Sequence, residues 1–182
     1  MKSTKRNTLR IIVAVSSAAV ALPLAIGAAS GASAATSNET TTMLQGMASE
    51  EKLAHDVYTT LGDRYPTSVF DRIASSESQH VSALQQLMTL RGIADPNAGL
   101  GVGDFASDKW ENLYESLVAK GEVSLRAAGG VGVTVEKLDI SDLDLALGLK
   151  PASDITRVLQ NLRSGSTRHL TSFQRVVSGF TR

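Results

Sequence analysis

A carboxylate and an imidazole stand three positions apart in the motif Glu77-Ser78-Gln79-His80. Apolar side chains recur around this motif at steps of three and four residues, so Glu77 and His80 fall on the buried face of a predicted helix. Burying either group without a partner costs on the order of several kcal/mol, which a bound cation offsets. The motif therefore indicates a metal site. A hydrogen bond between Glu77 and His80 on a half-exposed helix face is the alternative.

Carboxylates and one more imidazole interrupt other predicted apolar helix faces. One such face precedes the motif and two follow it. The full set of candidate metal ligands is Glu51, Glu77, His80, Glu136, Asp139 and His169. Oxygen and imidazole ligands without thiolates suit iron, manganese or zinc, and two divalent cations match the charge of four carboxylates.

Several of these residues also have an explanation that needs no metal. Glu51 and its neighbour Glu50 fit the first turn of a helix after Ser49, where acidic side chains favour the helix dipole. His169, alone on an apolar face, fits a core histidine bonded to a backbone carbonyl. Asp139 fits a helix start after a run of glycines.

Three other residues near the candidate ligands have weaker roles. Glu122 is a weaker substitute for Glu136. His55 fits the surface or a position behind the ligands. Tyr58 fits an ordinary amphipathic seam, although beside a metal it would hydrogen-bond a ligand or be oxidised.

The spacing of apolar residues and helix breakers predicts an all-α protein. A polar lead-in over 35–42, expected to be disordered, precedes helices over about 43–61 and 67–91, joined by a short turn. A Gly-rich loop over 92–107 then leads to a helix over 108–128. A weak point at three glycines separates it from a helix over 133–147, although one long kinked helix is the alternative. A last helix covers about 153–180. Two antiparallel helix pairs joined by a long crossover are expected.

The first 34 residues have the pattern of a cleaved secretory signal. Basic residues lie among the first ten, an Ala-rich uncharged run extends from Ile11 to about Ile26, and Ala32-Ser33-Ala34 supplies a cleavage site. Because the apolar run is short and diluted with alanine and glycine, we expect cleavage after Ala34 rather than a stable membrane anchor. The sequence therefore predicts a secreted or extracytoplasmic protein.

The composition excludes several kinds of site. Residues 1–34 carry four basic and no acidic side chains, so the mature chain has 14 basic against 18 acidic side chains and a formal net charge of −4. A nucleic-acid partner is not expected from such a balance. With no cysteine in the chain, disulfides, thiolate zinc sites and thiol nucleophiles are excluded. The remaining length suits one domain with one core.

Two segments, Glu51–Tyr58 and Ile73–His80, are similar to the ligand helices of rubrerythrin-type proteins in the ferritin-like superfamily. Two more, Val135–Leu143 and Asn161–Leu170, resemble the third and fourth signatures of a bacterial family within that superfamily. Across residues 43–180 the chain resembles an uncharacterised bacterial ferritin-like family of domains of unknown function. The resemblance implies a ferritin-like four-helix bundle with a long crossover that contains an extra or extended helix. It also implies one Glu from each of two helices and Glu-x-x-His from each of the other two.

The chain departs from that pattern at Ser166, which stands three residues before His169 where the superfamily has Glu. Two interpretations are open. In one, Asp139, which lies one helical turn from Glu136, replaces the missing carboxylate. In the other, the second metal position is incomplete.

The resemblance implies a metal-binding protein whose di-iron or di-manganese site handles oxygen, peroxide or ferrous iron. Ferroxidase or peroxide-reducing activity is its most concrete form, with zinc as another metal that the ligands suit. Two alternatives remain open: metal sequestration without turnover, and a secreted helical interaction module with a degenerate site. The expected partners are metal ions and a small oxidant, with a homodimer compatible with the sequence and a large cage not expected.

Overall fold

Residues 37–179, the part of the chain that the computed structural model describes, form helices joined by loops and contain no β-strand. The helices are α1 Asn38–Arg64, α2 Ser68–Leu90, α3 Asp108–Gly121, α4 Leu125–Gly148 and α5 Ser153–Ser178. The predicted all-α fold is therefore confirmed. The predicted signal peptide over 1–34 lies outside the described residues, as do residues 35 and 36 and the predicted helix end at Phe180. No helix within 37–179 has the length and hydropathy needed to span a bilayer.

Four of the helices pack as a ring around one interior. Helix α1 packs against α2 and α4, and α5 packs against the same two helices from the other side. The short turns after α1 and α4 reverse the chain, so each of the pairs α1/α2 and α4/α5 is antiparallel. The long crossover between the pairs contains α3, which packs on α1 and α4. The predicted bundle and its crossover helix are both present.

Helix α1 begins earlier than the sequence predicts. Ser37 is its N-cap, and the Ser37 hydroxyl oxygen accepts a hydrogen bond from the Thr40 backbone N–H at 3.2 Å. Met43 packs at the edge of the apolar core. The predicted disorder is therefore wrong for residues 38–42, because a capped helix start and a first apolar contact order this polar stretch.

The break between α3 and α4 also lies at a different place. Helix α3 ends at Gly121, and Ser124 caps α4 by accepting a hydrogen bond from the Ala127 N–H at 3.1 Å. The predicted helix over 108–128 and the predicted break at the glycines are therefore wrong. The glycines lie inside α4, where a Cβ at Gly132 would stand 2.4 Å from the Phe173 ring of α5. Gly129 and Gly132 permit α4 and α5 to approach closely, and this gain outweighs the low helix propensity of glycine.

Two apolar clusters fill the bundle, one toward each end. The aromatic cluster contains Tyr58, Phe70 and Phe173, whose ring centroids lie 4.7–6.5 Å apart. The leucine cluster contains, among others, Leu44, Leu84, Leu143, Leu159 and Leu162. On each helix of the ring, the candidate ligands lie between the residues of the two clusters. A polar layer is thus enclosed between two apolar ones.

The close approach of α4 and α5 can be tested with two alanine substitutions in one helix. Gly132→Ala places a methyl group against the Phe173 ring and should lower the free energy of unfolding by about 1–3 kcal/mol. Gly130 has no heavy atom within 4 Å of its built Cβ, so Gly130→Ala should raise it by about 0.5–1 kcal/mol. Urea unfolding measures both. Equal stabilisation by the two changes would contradict the packing role of Gly132.

Candidate metal centre

The structure brings five of the six predicted ligands into two adjoining groups that share one residue. Each group offers ligand atoms that all lie within 4.8 Å of one another. The first triad is Glu51, Glu77 and His80, and the second triad is Glu77, Glu136 and His169. Glu77 therefore occupies the corner common to both.

The first triad joins α1 and α2. The Nδ1 atom of His80 lies 3.1 Å from Glu51 Oε2 and 2.7 Å from Glu77 Oε2. Glu51 is 2 % exposed and Glu77 is 1 % exposed. Both carboxylates are thus removed from water and face the same imidazole nitrogen.

The second triad joins α2, α4 and α5. His169 Nδ1 lies 2.7 Å from Glu77 Oε1 and 3.7 Å from Glu136 Oε1. The other ring nitrogen, Nε2, lies 3.0 Å from the Ser76 hydroxyl oxygen. When Nε2 donates its proton to Ser76, the Nδ1 lone pair points at the two carboxylates, which is the tautomer that a metal ligand requires. Tyr58 donates a hydrogen bond from its hydroxyl group to Glu136 Oε1 at 2.8 Å and orients that carboxylate.

Several polar atoms of this layer are buried without a hydrogen-bond partner. They are Glu51 Oε1, both carboxylate oxygens of Glu77 and of Asp139, and His169 Nδ1. Of these atoms, the Glu77 oxygens and His169 Nδ1 have the 2.7 Å ion-pair contacts described above but no hydrogen bond. Buried polar atoms are normally paired, and leaving them unpaired is costly. Because carboxylate oxygens and imidazole nitrogens are the ligands that iron, manganese and zinc accept, the donor set fits a pair of divalent cations.

Within the first triad, the pKa values of Glu51 and His80 are raised and that of Glu77 is lowered. Burial raises the pKa of Glu51 to about 8. Burial acts in the same direction on Glu77, but the ion pairs with His169 and His80 outweigh it and lower the pKa of Glu77 to about 2. Burial opposes protonation of His80, but Glu51 and Glu77 outweigh it and raise the pKa of His80 to about 10. Without a cation at neutral pH, the triad therefore contains an ionised Glu77 beside a charged imidazole and a neutral Glu51.

Glu136 of the second triad and Asp139 beside it are also protonated more readily than free carboxyl groups. Burial and the charge of Glu77 raise the pKa of Glu136. Burial and the charge of Glu51 raise the pKa of Asp139. Protons thus hold the polar layer together in the absence of other positive charge, and a cation would displace them.

Asp139 is buried in the polar layer but belongs to neither triad. Ser166, fully buried on α5, faces Asp139 and lowers its pKa, but the Ser166 hydroxyl proton is donated to the Leu162 carbonyl at 3.0 Å. Within the described residues, neither oxygen of the Asp139 carboxylate therefore accepts a hydrogen bond. Direct ligation by Asp139 in place of the missing glutamate stays a prediction.

The other residues weighed in the sequence lie apart from the triads. Glu122 is exposed at the C-cap of α3. His55 is half-buried, with Nδ1 2.8 Å from Asp56 Oδ1. Glu50 is buried, but the triads include its neighbour Glu51.

Two residues at the site were not anticipated from the sequence. Ser76 contacts His169 across the α2/α5 interface. Gly165 leaves room for a histidine ring, since a Cβ there would stand 2.5 Å from His80 Nε2. A glycine inside a long helix was the available signal for Gly165, because glycine costs about 1 kcal/mol there and needs a packing reason.

Comparisons with known proteins agree with this architecture. Residues 39–180 match the family described as "Uncharacterized protein domain (DUF2202)". The chain is 40 % identical over 134 residues to uncharacterized protein MJ0754 of Methanocaldococcus jannaschii. The aligned residues make up 74 % of this chain and 72 % of that protein. It is also similar to the crystal structure of hypothetical protein MJ0754, with a TM-score of 0.78 and 38 % identity over 84 % of this chain and 87 % of that one. The chain therefore belongs to the DUF2202 family.

Proposed function

We propose that this chain is a ferritin-like protein that binds two ions of iron or manganese in its polar layer and uses them to handle oxygen, peroxide or ferrous iron. The observation that carries the proposal is the pair of buried triads that share Glu77, with ligand atoms left unpaired in both. Zinc suits the same ligands, so metal analysis is part of the test.

Each triad would hold one of the two ions. Glu51 and His80 would help to hold one ion and Glu136 and His169 the other, and Glu77 belongs to both ligand groups. Hydrogen bonds to two of these ligands support the assignment. Ser76 fixes the His169 ring and Tyr58 fixes the Glu136 carboxylate, and such partners strengthen metal binding.

Iron or manganese would supply the electrons for reduction of oxygen or peroxide. The chain's own contribution is to enclose the centre between the aromatic and leucine clusters, which exclude bulk water. Tyr58 remains protonated because burial and the charge of Glu136 raise its pKa. Its hydroxyl proton is therefore retained beside the second triad. In this proposal the mature protein acts outside the cytoplasm, as the pattern of residues 1–34 predicts.

Removal of the shared carboxylate should weaken binding of both ions together. Glu77→Gln keeps the size of the side chain but loses its charge. It should lower Mn²⁺ affinity by more than about 100-fold, because loss of a residue that only hydrogen-bonds a metal ligand already costs up to about that factor. Glu115→Gln, on the exposed face of α3, is the matched control and should bind as the wild type does. Equilibrium dialysis with metal analysis measures both. Wild-type stoichiometry and affinity in Glu77→Gln would refute the assigned centre.

The protons of the metal-free centre predict how metal stabilisation depends on pH. His80 and Glu51 have pKa values near 10 and 8, above their usual 6.5 and 4.5. The folded metal-free protein therefore binds protons that the unfolded chain releases, and its free energy of unfolding falls as pH rises from 4.5 to 10. The lowered pKa of Glu77 acts oppositely, but only below pH 4.5.

Because Mn²⁺ displaces these protons, the gain in Tm on adding Mn²⁺ should widen between about pH 6 and about pH 9. Thermal unfolding of the metal-free and Mn²⁺-loaded protein measures this difference. A gain that is constant or shrinks over that range would contradict the assigned protonation.

Oxidation of ferrous iron separates turnover from storage. The wild-type protein with two equivalents of Fe²⁺ should form ferric iron faster than free Fe²⁺ when oxygen or peroxide is added, and Glu77→Gln should lose the acceleration. Stopped-flow absorbance of ferric iron follows both. Tight Fe²⁺ binding without accelerated oxidation by either oxidant would replace the redox role with metal sequestration.

A further inference from the structure

A second group of carboxylates lies beside the two triads and has no part in them. Glu50 of α1 and Asp139 of α4 are each 4 % exposed, and Asp142 of α4 is half-buried. These residues lie where α1, α3 and α4 pack together. No basic side chain forms an ion pair with any of the three within the described part of the chain.

The three carboxylates form a series that leads from the surface to the centre. Asp142 and Asp139 are one turn apart on α4, and the charges of both act on Glu50. Asp139 in turn senses the charges of Glu51 and Glu77. The outer end of the series lies near Lys109, an exposed residue in the first turn of α3. Carboxyl groups thus follow one another from half-buried Asp142 to the first triad.

Structural stabilisation does not explain this series. Both oxygens of Asp139 are buried and accept no hydrogen bond. Burial of carboxylates without partners costs free energy, and mutual repulsion adds to that cost. The unpaired oxygens are instead available as ligands for a cation that passes along the series.

The other approaches to the centre are less suited to a cation. The aromatic and leucine clusters close the two ends of the polar layer. Between α2 and α5, the rings of His80 and His169 stand 5.6 Å apart, and the His80 ring lies against Gly165 of α5. On the outer side of α1, Lys52 donates hydrogen bonds to the Gly101 carbonyl oxygen and to Asp56 and places a positive charge there.

We propose that Asp142, Glu50 and Asp139 form the route by which a divalent cation travels from the α1/α3/α4 corner of the bundle to the two-metal centre. This inference rests on the proposed metal-binding function. Lys109 stands near the outer end of the route and opposes entry by its charge.

A route differs from a ligand set in its effect on rates. A residue along a route changes the association and dissociation rates by the same factor and leaves the equilibrium affinity unchanged, whereas loss of a ligand lowers the affinity. Co²⁺ is a suitable probe, because its visible absorbance reports binding to carboxylate and imidazole ligands. Stopped-flow mixing gives the association rate, and excess chelator gives the dissociation rate.

Asp142→Asn should slow both association and dissociation of Co²⁺ by about 10-fold, the lower range of electrostatic steering, with two ions still bound at equilibrium. Glu50→Gln should act in the same direction, and Lys109→Gln should accelerate both rates. Asp144→Asn is the matched control: Asp144 is on the same helix, exposed and paired with Arg163. Its rates should stay within about twofold of the wild type after the same change in net charge.

The outcomes distinguish the route from the function on which it rests. Two bound ions with equal rates in Asp142→Asn and Asp144→Asn would overturn the route alone. A lower affinity in Asp142→Asn with an unchanged association rate would make Asp142 a ligand and also overturn the route. A wild-type protein that binds no Co²⁺, Mn²⁺ or Fe²⁺ would overturn both.

Discussion

The burial of Glu77 with its charge intact is the constraint on which the rest of this bundle depends. Removal from water raises the pKa of a carboxylate, and Glu51, Glu136 and Asp139 all follow that rule. Glu77 does not, because an imidazole nitrogen lies 2.7 Å from each of its oxygens. His80 and His169 must therefore each approach a different oxygen of the same carboxylate. Once α2 and α5 meet in this way, both triads are fixed around the shared corner.

The apolar parts of the molecule supply the geometry that this arrangement needs. The aromatic and leucine clusters hold the helices in register above and below the polar layer, and Tyr58 connects the aromatic cluster to Glu136. Gly165 leaves space on α5 for the His80 ring, while Gly132 lets α4 approach Phe173. The distances in the layer are thus set by small residues on neighbouring helices as much as by the polar side chains.

The sequence predicted those features that arise within a single helix. The period of apolar residues located α2 and α5 to within a few residues, and the same period placed Glu77, His80 and His169 on buried faces. Features that arise between helices were not predictable in this way. The role of Ser76 depends on α5, and the glycines of α4 read as a helix break because nothing local reveals that Phe173 and Val176 pack against them. The early start of α1 was missed because its polar residues hide an ordinary Ser37 cap.

If the chain has the ferritin-like centre proposed above, the serine at position 166 affects the charge of that centre as well as the number of its ligands. Under the proposed function, two divalent ions bring four positive charges, whereas Glu51, Glu77 and Glu136 supply three negative ones and neutral histidines supply none. Ser166 cannot supply the fourth, because a serine hydroxyl group is uncharged. Asp139 can, since its buried carboxylate senses Glu51 and Glu77 without joining either triad. Asp139 would balance the charge of the centre from the adjacent helical turn without belonging to either triad. An ion can therefore leave Asp139 for the centre, so the same residue can form the inner end of the proposed entry route.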